Sequence, residues 1–282
     1  MSRDNKREES AEQPELSERE QKDVERRSAP RTEVVYEAIR EEGAGEIERA
    51  SSTLAWDGLA AGLSMGFSLV AEGLLRAHLP DAGWRPLVAK LGYTVGFLII
   101  VLGRHQLFTE NTLTAVLPLL QRKDAKTLAS VLRLWTVVLL ANVAGAFLFA
   151  FTVSQSELFE PNVREAFTEI GREALRGSWE LMLLRGVFAG WLIAMMVWML
   201  PAAESARFFV VVVMTYLVAL GGFAHVVAGS AEVFYVVLTG AAAWGEFFHW
   251  FLPTLAGNIL GGTTLVAALG HAQVAGEARK AA

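Results

Sequence analysis

Apolar residues run through this chain in six long blocks, roughly 54–75, 87–120, 128–153, 181–200, 208–243 and 247–269. A hydrocarbon core takes about 20 mainly apolar residues per helix, so each block predicts a membrane span. The second and fifth are too long for one straight helix. Each predicts a helix, a break and a half-helix. The polar interruptions mark the breaks: Leu107-Phe108-Thr109-Glu110-Asn111 in one block and Gly221-Gly222-Phe223-Ala224-His225 in the other. Polar groups and paired glycines at membrane depth are costly unless they are buried in protein or line a cavity. Two broken helices facing each other across a solute pathway satisfy that condition.

The two halves of the sequence repeat. Gly58 and Gly62 in the first span echo Gly186 and Gly190 in the fourth, and Asn142-Val-Ala-Gly145 echoes Asn258-Ile-Leu-Gly261. Thr109 precedes Asn142 by 142 − 109 = 33 residues, and His225 precedes Asn258 by 258 − 225 = 33. Three spans per half predict that the second copy is inserted upside down, an inverted repeat with discontinuous helices meeting near the midplane. The fold class expected is therefore all-α integral membrane, with six transmembrane helices in a 3+3 inverted repeat.

Charge divides the chain. Residues 1–50 carry 15 acidic and 10 basic side chains, which is the whole formal charge of −5 and leaves 15 of each sign in 51–282. Four segments follow: a charged, disordered tail (1–32), an amphipathic helix (33–50), the six-span domain (51–270) and a C-terminal tail (271–282). Val34, Val35, Ala38 and Ile39 give the helix an apolar face for the membrane surface or a subunit contact. Val163, Phe167, Ile170 and Ala174 predict a second surface helix in the long loop 155–180. Arg122, Lys123 and Lys126 make the loop after span two the most basic short loop, which predicts both termini in the cytoplasm, with Arg279 and Lys280 in agreement. Cysteine is absent, so disulfides and thiolate metal sites are excluded. No basic face for nucleic acid, nucleotide loop or nucleophile–base pair is present, and neither a metal site nor a cofactor is expected.

The motifs resemble those of the formate/nitrite transporter family. Its second span breaks at Leu-Phe-Thr, matched by Leu107-Phe108-Thr109, and its fifth at Gly-Phe-Glu-His-Ser, matched by Gly222-Phe223-Ala224-His225-Val226. Gly-Asn-Ile-Ile-Gly-Gly in the last span is matched by Gly257-Asn258-Ile259-Leu260-Gly261-Gly262, and Ala-Val-Trp in the fourth by Met196-Val197-Trp198. The resemblance spans about residues 45–270. It implies an aquaporin-like protomer, a homopentamer in the lipid bilayer with one pore per subunit, and location in a bacterial inner membrane. There are departures. Gln106 precedes the first motif, Glu110 lies within it, Ala224 stands before the histidine, and the family's pore asparagines align with Gly190 and Gly229.

The resemblance makes His225 the central pore residue, assisting a weak acid that is drawn in as an anion and crosses as a neutral molecule. The physical motive is sound, since charge in hydrocarbon is expensive, and positively polarised half-helix N-termini near the breaks could draw the anion in. The alternative is a core histidine bonded to a backbone carbonyl. Thr109 either bonds His225 or the solute, or caps a half-helix starting near Asn111. Leu107 and Phe108 form the apolar gate on one side by the same resemblance, and Phe97 and Val218 on the other. Arg104, His105, Glu110 and Glu232 form an expected midplane charge network. An intramembrane arginine costs roughly 2.5–3.5 kcal/mol, so Arg104 is expected to pair with Glu110 or Glu232, or else to select anions at a vestibule. Glu72 and Arg76 are expected as a helix-surface pair, and Trp84, Trp135, Trp179, Trp244 and Trp250 as an interfacial belt.

Three functions compete: a channel or proton-coupled transporter for a small monovalent weak acid of the formate or nitrite kind, a passive pore for a small neutral solute, and a non-conducting scaffold or sensor. An enzyme is not expected.

Overall fold

The computed structural model describes Ser17, Arg19, Glu20, residues 30–267 and Gly270. Most of the charged tail and all of 271–282, with His271, Arg279 and Lys280, lie outside the described residues. In the N-terminal unit (Met1–Arg31), the amide and hydroxyl of Ser17 donate to the Glu20 carboxylate at 2.9 and 2.7 Å.

The helical unit begins with α1 (Thr32–Glu46), which buries Val35, Tyr36, Ile39 and Gly43 at helical spacing. This face packs within the same subunit, against Leu113, Leu117, Ala194 and Val197. Of the residues expected on the apolar face, Val35 and Ile39 turn inwards, while Val34 and Ala38 are exposed. Helix α2 (Ser51–His78) is 28 residues long, about 42 Å at 1.5 Å per residue, enough to cross a bilayer core. Span two is composite: α3 (Arg85–Ala89), a 3-10 turn (Lys90–Tyr93), α4 (Thr94–Leu102), the break, then α5 (Phe108–Thr114) and α6 (Val116–Arg122). Lys123, in the left-handed region, stops α6, and the Asp124 carboxylate caps α7 (Ala125–Gln155) by accepting the Thr127 amide at 2.8 Å. Helix α8 (Pro161–Ala174) is the predicted loop helix, with Val163, Phe167 and Ile170 buried. Ser178 caps α9 (Trp179–Ala203), and a 3-10 turn leads to α10 (Arg207–Leu220). Past the second break come α11 (Val226–Leu238) and α12 (Trp244–Leu260), which runs into a π-helical segment, Gly261–Ala267.

Four stretches are long and apolar enough to cross a membrane by length and composition: Ser51–His78, Arg85–Leu102, Ala125–Gln155 and Trp179–Leu220, the last comprising α9 and α10. Half-helices α5–α6 and α11, with α12, lie where the sequence expects the rest of its six apolar blocks.

Small residues let the helices of each half approach closely. A Cβ on Gly62 of α2 would overlap the Asn142 backbone of α7, and one on Gly190 of α9 would overlap the Asn258 backbone of α12. The same crossing is thus built twice, α2 on α7 and α9 on α12.

The breaks are also built twice. In the first, Arg104 takes φ +56° and the His105 amide reaches back to the Ile100 carbonyl at 3.0 Å. In the second, Gly222 takes φ +61° and the Phe223 amide reaches the Val218 carbonyl at 3.0 Å. Both are helix stops with one left-handed residue and a six-to-one hydrogen bond. An asparagine braces each. Asn142 donates to Gly58 O (2.8 Å) and Gln106 O (2.9 Å) and accepts the Phe108 amide (2.9 Å). Asn258 donates to Gly186 O (2.9 Å) and Ala224 O (2.8 Å) and accepts the Val226 amide (2.8 Å).

These bonds set the register of the repeat: Gln106 matches Ala224, Leu107 matches His225 and Phe108 matches Val226. Thr109 is not the partner position of His225. The equal 33-residue spacing is a coincidence; the true spacings are 142 − 107 = 35 and 258 − 225 = 33. The repeat itself stands, carried by the two asparagines.

Candidate functional site: a histidine–threonine bridge between two cavities

His225 is the N-cap of α11, and its Nδ1 accepts the Ala228 amide hydrogen at 3.1 Å. Its Nε2 lies 2.7 Å from Thr109 Oγ1, across a sequence separation of 116 residues. Together these hydrogen bonds assign the tautomer. Nδ1 is engaged as an acceptor, so the neutral ring carries its proton on Nε2 and donates to Thr109. A second proton on Nδ1 would face the Ala228 N–H, donor against donor. The expected backbone-carbonyl partner for His225 is absent among the described residues. Thr109 does not cap a helix near Asn111, because α5 begins at Phe108 behind Leu107, which makes no side-chain cap.

The Phe97 ring meets the imidazole edge-on, centroids 4.9 Å apart. Phe97, Leu107, Phe108 and Val218 belong to one buried cluster, and Thr109 is fully buried beside them. Phe108 turns its ring towards Trp135 at 6.0 Å, and Trp135 Nε1 donates to Asn111 O at 3.0 Å. The amides expected to attract an anion at the half-helix N-termini are largely committed: Phe108 and Val226 to the asparagines, Ala228 to His225.

A cavity of about 320 Å³ opens on one side, lined by His225, Gly229, Glu232, Trp250, Lys90, Tyr93, Glu173, Arg176 and Arg185 among others. Its cations and acids are mostly paired. Lys90 Nζ lies 2.5 Å from Glu72. Arg76 holds Glu169 (2.9 Å) and Glu173 (2.7 Å) on α8. Burial alone would raise the Glu173 carboxyl, but the Arg76 hydrogen bond and charge bring it below the ordinary carboxylate range. The expected Glu72–Arg76 surface pair is thus corrected: Glu72 is buried and serves Lys90, while Arg76 serves α8. Trp250, expected at an interface, is buried over Gly229, where a Cβ would strike its ring.

A second cavity, about 550 Å³, is lined by Glu42, Glu46, Arg49, Arg104, His105, Gln106, Glu110, Thr114 and Arg207 among others. Here α1 closes on the first break. Gln106 Nε2 donates to Glu46 at 3.0 Å, Thr114 Oγ1 donates to Glu46 at 2.7 Å, and Asn111 Nδ2 donates to Gln106 Oε1 at 2.9 Å. Burial raises the Glu46 carboxyl above its ordinary range, with Thr114 and Gln106 pulling the other way.

The expected charge network is not one network. Arg104, His105 and Glu110 line the α1-side cavity, whereas Glu232 lines the α8-side cavity. Arg104 is 77% exposed at the side chain and sits 3.9 Å from Glu42, not beside Glu110 or Glu232. Its left-handed backbone turns the side chain into the opening, so it need not stay at membrane depth. His105 faces the same cavity, because helical spacing does not apply through a break. Gly190 lines neither cavity; it is a crossing glycine with no room for an asparagine. Equivalent break residues, Arg104–Gln106 and Gly222–Ala224, line opposite cavities, as an inverted repeat requires.

Sequence reasoning missed Lys90 and Glu46. A lone lysine inside the apolar block of span two was the available signal for the first. Nothing local marks Glu46 among the acids of α1.

The sequence profile of the formate/nitrite transporter family matches residues 33–272. The chain belongs to the formate/nitrite transporter family. Among relatives in this family, the inner membrane protein YfdC of Escherichia coli (strain K12) is 44% identical over 245 residues, covering 86% of this chain and 79% of that one. The formate channel BtFdhC of Bacillus thuringiensis is 27% identical over 247 residues, covering 83% and 92%. Two solved structures share the fold: an FNT family ion channel (TM-score 0.74, 16% identity, 85% of this chain and 98% of that one) and a pentameric formate channel with formate bound (TM-score 0.68, 19% identity, 80% and 97%).

Proposed function

We propose that this chain is a membrane channel or proton-coupled transporter for a small monovalent weak acid of the formate or nitrite class. The observation that carries the reading is the buried Thr109–His225 bond, set between two charged cavities and wrapped by Phe97. A bare anion would have to shed its water among these apolar walls, at a cost far above that of the neutral acid. The anion is gathered in the α8-side cavity, near Lys90, Arg176 and Arg185. It takes up a proton and passes Phe97, Leu107, Phe108 and Val218 as a neutral molecule. Thr109, whose Oγ1 accepts His225 Nε2–H, keeps its own hydroxyl hydrogen to donate to that molecule. Both termini lie in the cytoplasm, so α1 faces inwards, and the location is a bacterial inner membrane. The assembly is a homopentamer, a reading supported by the shared fold of the pentameric formate channel.

The test is internal pH in proteoliposomes given an inward formate gradient, with His225→Ala as the matched control. Rapid acidification that depends on His225 supports weak-acid transport. One observation favours a second reading, a pore for a neutral solute: the Trp250 ring occupies the space above Gly229 and makes this wall less polar. Under that reading permeation does not respond to external pH, and weak-acid uptake rises as external pH falls only under the first.

A further inference from the structure

The tautomer of His225 leaves a gap in weak-acid transport. With Nδ1 receiving the Ala228 amide, the ring is a neutral donor and has no spare proton to give. The permeant's proton must come from elsewhere in the α8-side cavity.

Glu232 lies seven residues beyond His225 on α11, with Gly229 between them, so all three share one helix face and all line that cavity. Glu232 is buried, with 8% of its surface exposed. Among the described residues its carboxylate makes no hydrogen bond and no ion pair. The charged groups on α2, the 3-10 turn and α8 nearest to it are paired with one another. On α2, Glu72 holds Lys90 of the 3-10 turn, and Arg76 holds Glu173 of α8. Tyr93 of the same turn is buried within electrostatic reach. Arg176, in the loop between α8 and α9, accepts a bond at its backbone carbonyl from Nη1 of Arg185, which lies in the second turn of α9, at 2.6 Å. Glu232 is left facing two other carboxylates, Glu72 and Glu173, with Lys90 already taken. A buried carboxyl without a counter-ion or hydrogen-bond donor is held most cheaply as the neutral acid.

We infer that Glu232 is the proton-exchanging acid of the outer vestibule, protonating the permeant anion just before it meets His225. The O–H bond of the Glu232 acid breaks as an O–H bond forms on the permeant; Glu232 becomes the anion and recovers a proton from vestibule water. No electrons are transferred. Glu110 is its counterpart on the α1 side, where its Oε1 is buried with no hydrogen-bond partner at the cavity wall. The neutral acid that emerges on that side gives its proton to the water of the α1-side cavity. This inference rests on the weak-acid reading above.

The test compares E232Q and E232D with wild type in proteoliposomes, reading formate-driven acidification over a range of external pH. E232Q keeps the shape of the side chain and removes the acid. Uptake is expected to fall about tenfold, below the usual range of general-acid effects, with a flattened pH response, and E232D is expected to recover most of it. Wild-type uptake and pH response in E232Q overturn the inference. Equal loss in both variants marks a packing role and also overturns it. If wild type itself moves no formate, the weak-acid reading fails, and an infrared titration of the assembled protein then judges Glu232 separately. A protonated-carboxyl band present in wild type and missing in E232Q supports proton exchange at this site; a band unchanged in E232Q refutes it.

Discussion

The two breaks have one backbone and two chemistries. Each stops its helix with a left-handed residue, and each is clamped by an asparagine making three hydrogen bonds. At the matching N-cap positions, one break presents Leu107 and the other His225. Architecture therefore resides in what the halves share, Asn142 and Asn258 with their glycine carbonyls. Chemistry resides in what they do not share.

The severest way to break the comparison is to remove a clamp. Asn142→Ala strands the Gln106 carbonyl and the Phe108 amide, and Asn258→Ala strands the Ala224 carbonyl and the Val226 amide, at about 1–3 kcal/mol apiece. Each variant is expected to lose at least about 2 kcal/mol, read as a large drop in the melting temperature of the detergent-solubilised protein. Tolerance of one loss but not the other would mean that the clamps are not equivalent.

The next effect separates the caps. His225→Ala is expected to lower weak-acid uptake by about 10- to 100-fold, the range expected when a buried site gives up one hydrogen-bonding group. Leu107→Ala removes no polar group and should keep more of the uptake than His225→Ala. Equal losses would place both residues in a common steric role.

The left-handed residues give a smaller and opposite pair. Arg104 carries a steric penalty there that Gly222 avoids, about 1–2 kcal/mol for a residue with a Cβ. Arg104→Gly should raise thermal stability and Gly222→Ala should lower it, each by about 1 kcal/mol. Both are read in the same melting assay.

The mildest effect concerns α1, which closes on one break only. Glu46 has its carboxyl raised, chiefly by burial. Its folded value lies above the unfolded one, so its contribution to docking is full below the ordinary carboxyl range and is lost as pH rises through the raised value. Hydrogen exchange of the α1 amides, corrected for the intrinsic pH effect, should quicken across that window in wild type. Glu46→Gln should flatten the response.

Much of this is legible in the sequence. Block lengths place the spans, and the polar interruptions place both breaks, because a membrane tolerates few other reasons for such residues. The pairing of Thr109 with His225 is also foreshadowed there, although through a false register. Side-chain partners are harder to read. Glu72 has Arg76 four residues away but takes Lys90, eighteen residues on, because the 3-10 turn carries Lys90 back against α2. Spacing suggests a partner for Arg104 at membrane depth, yet its backbone turns it into the open cavity. Trp250 reads as a belt residue until the missing side chain at Gly229 gives it a place inside. In each case tertiary geometry chooses among partners that sequence spacing cannot rank.

The 116-residue separation of Thr109 from His225 also bears on how the protein is made. A ribosome delivers the first half, including Thr109, long before His225 exists to meet it. Even then the second break has no brace until Asn258 arrives on the last span. The filter is thus among the final parts of the protomer to be completed during synthesis, and a chain truncated before α12 would carry both pore residues but lack the clamp that aligns them.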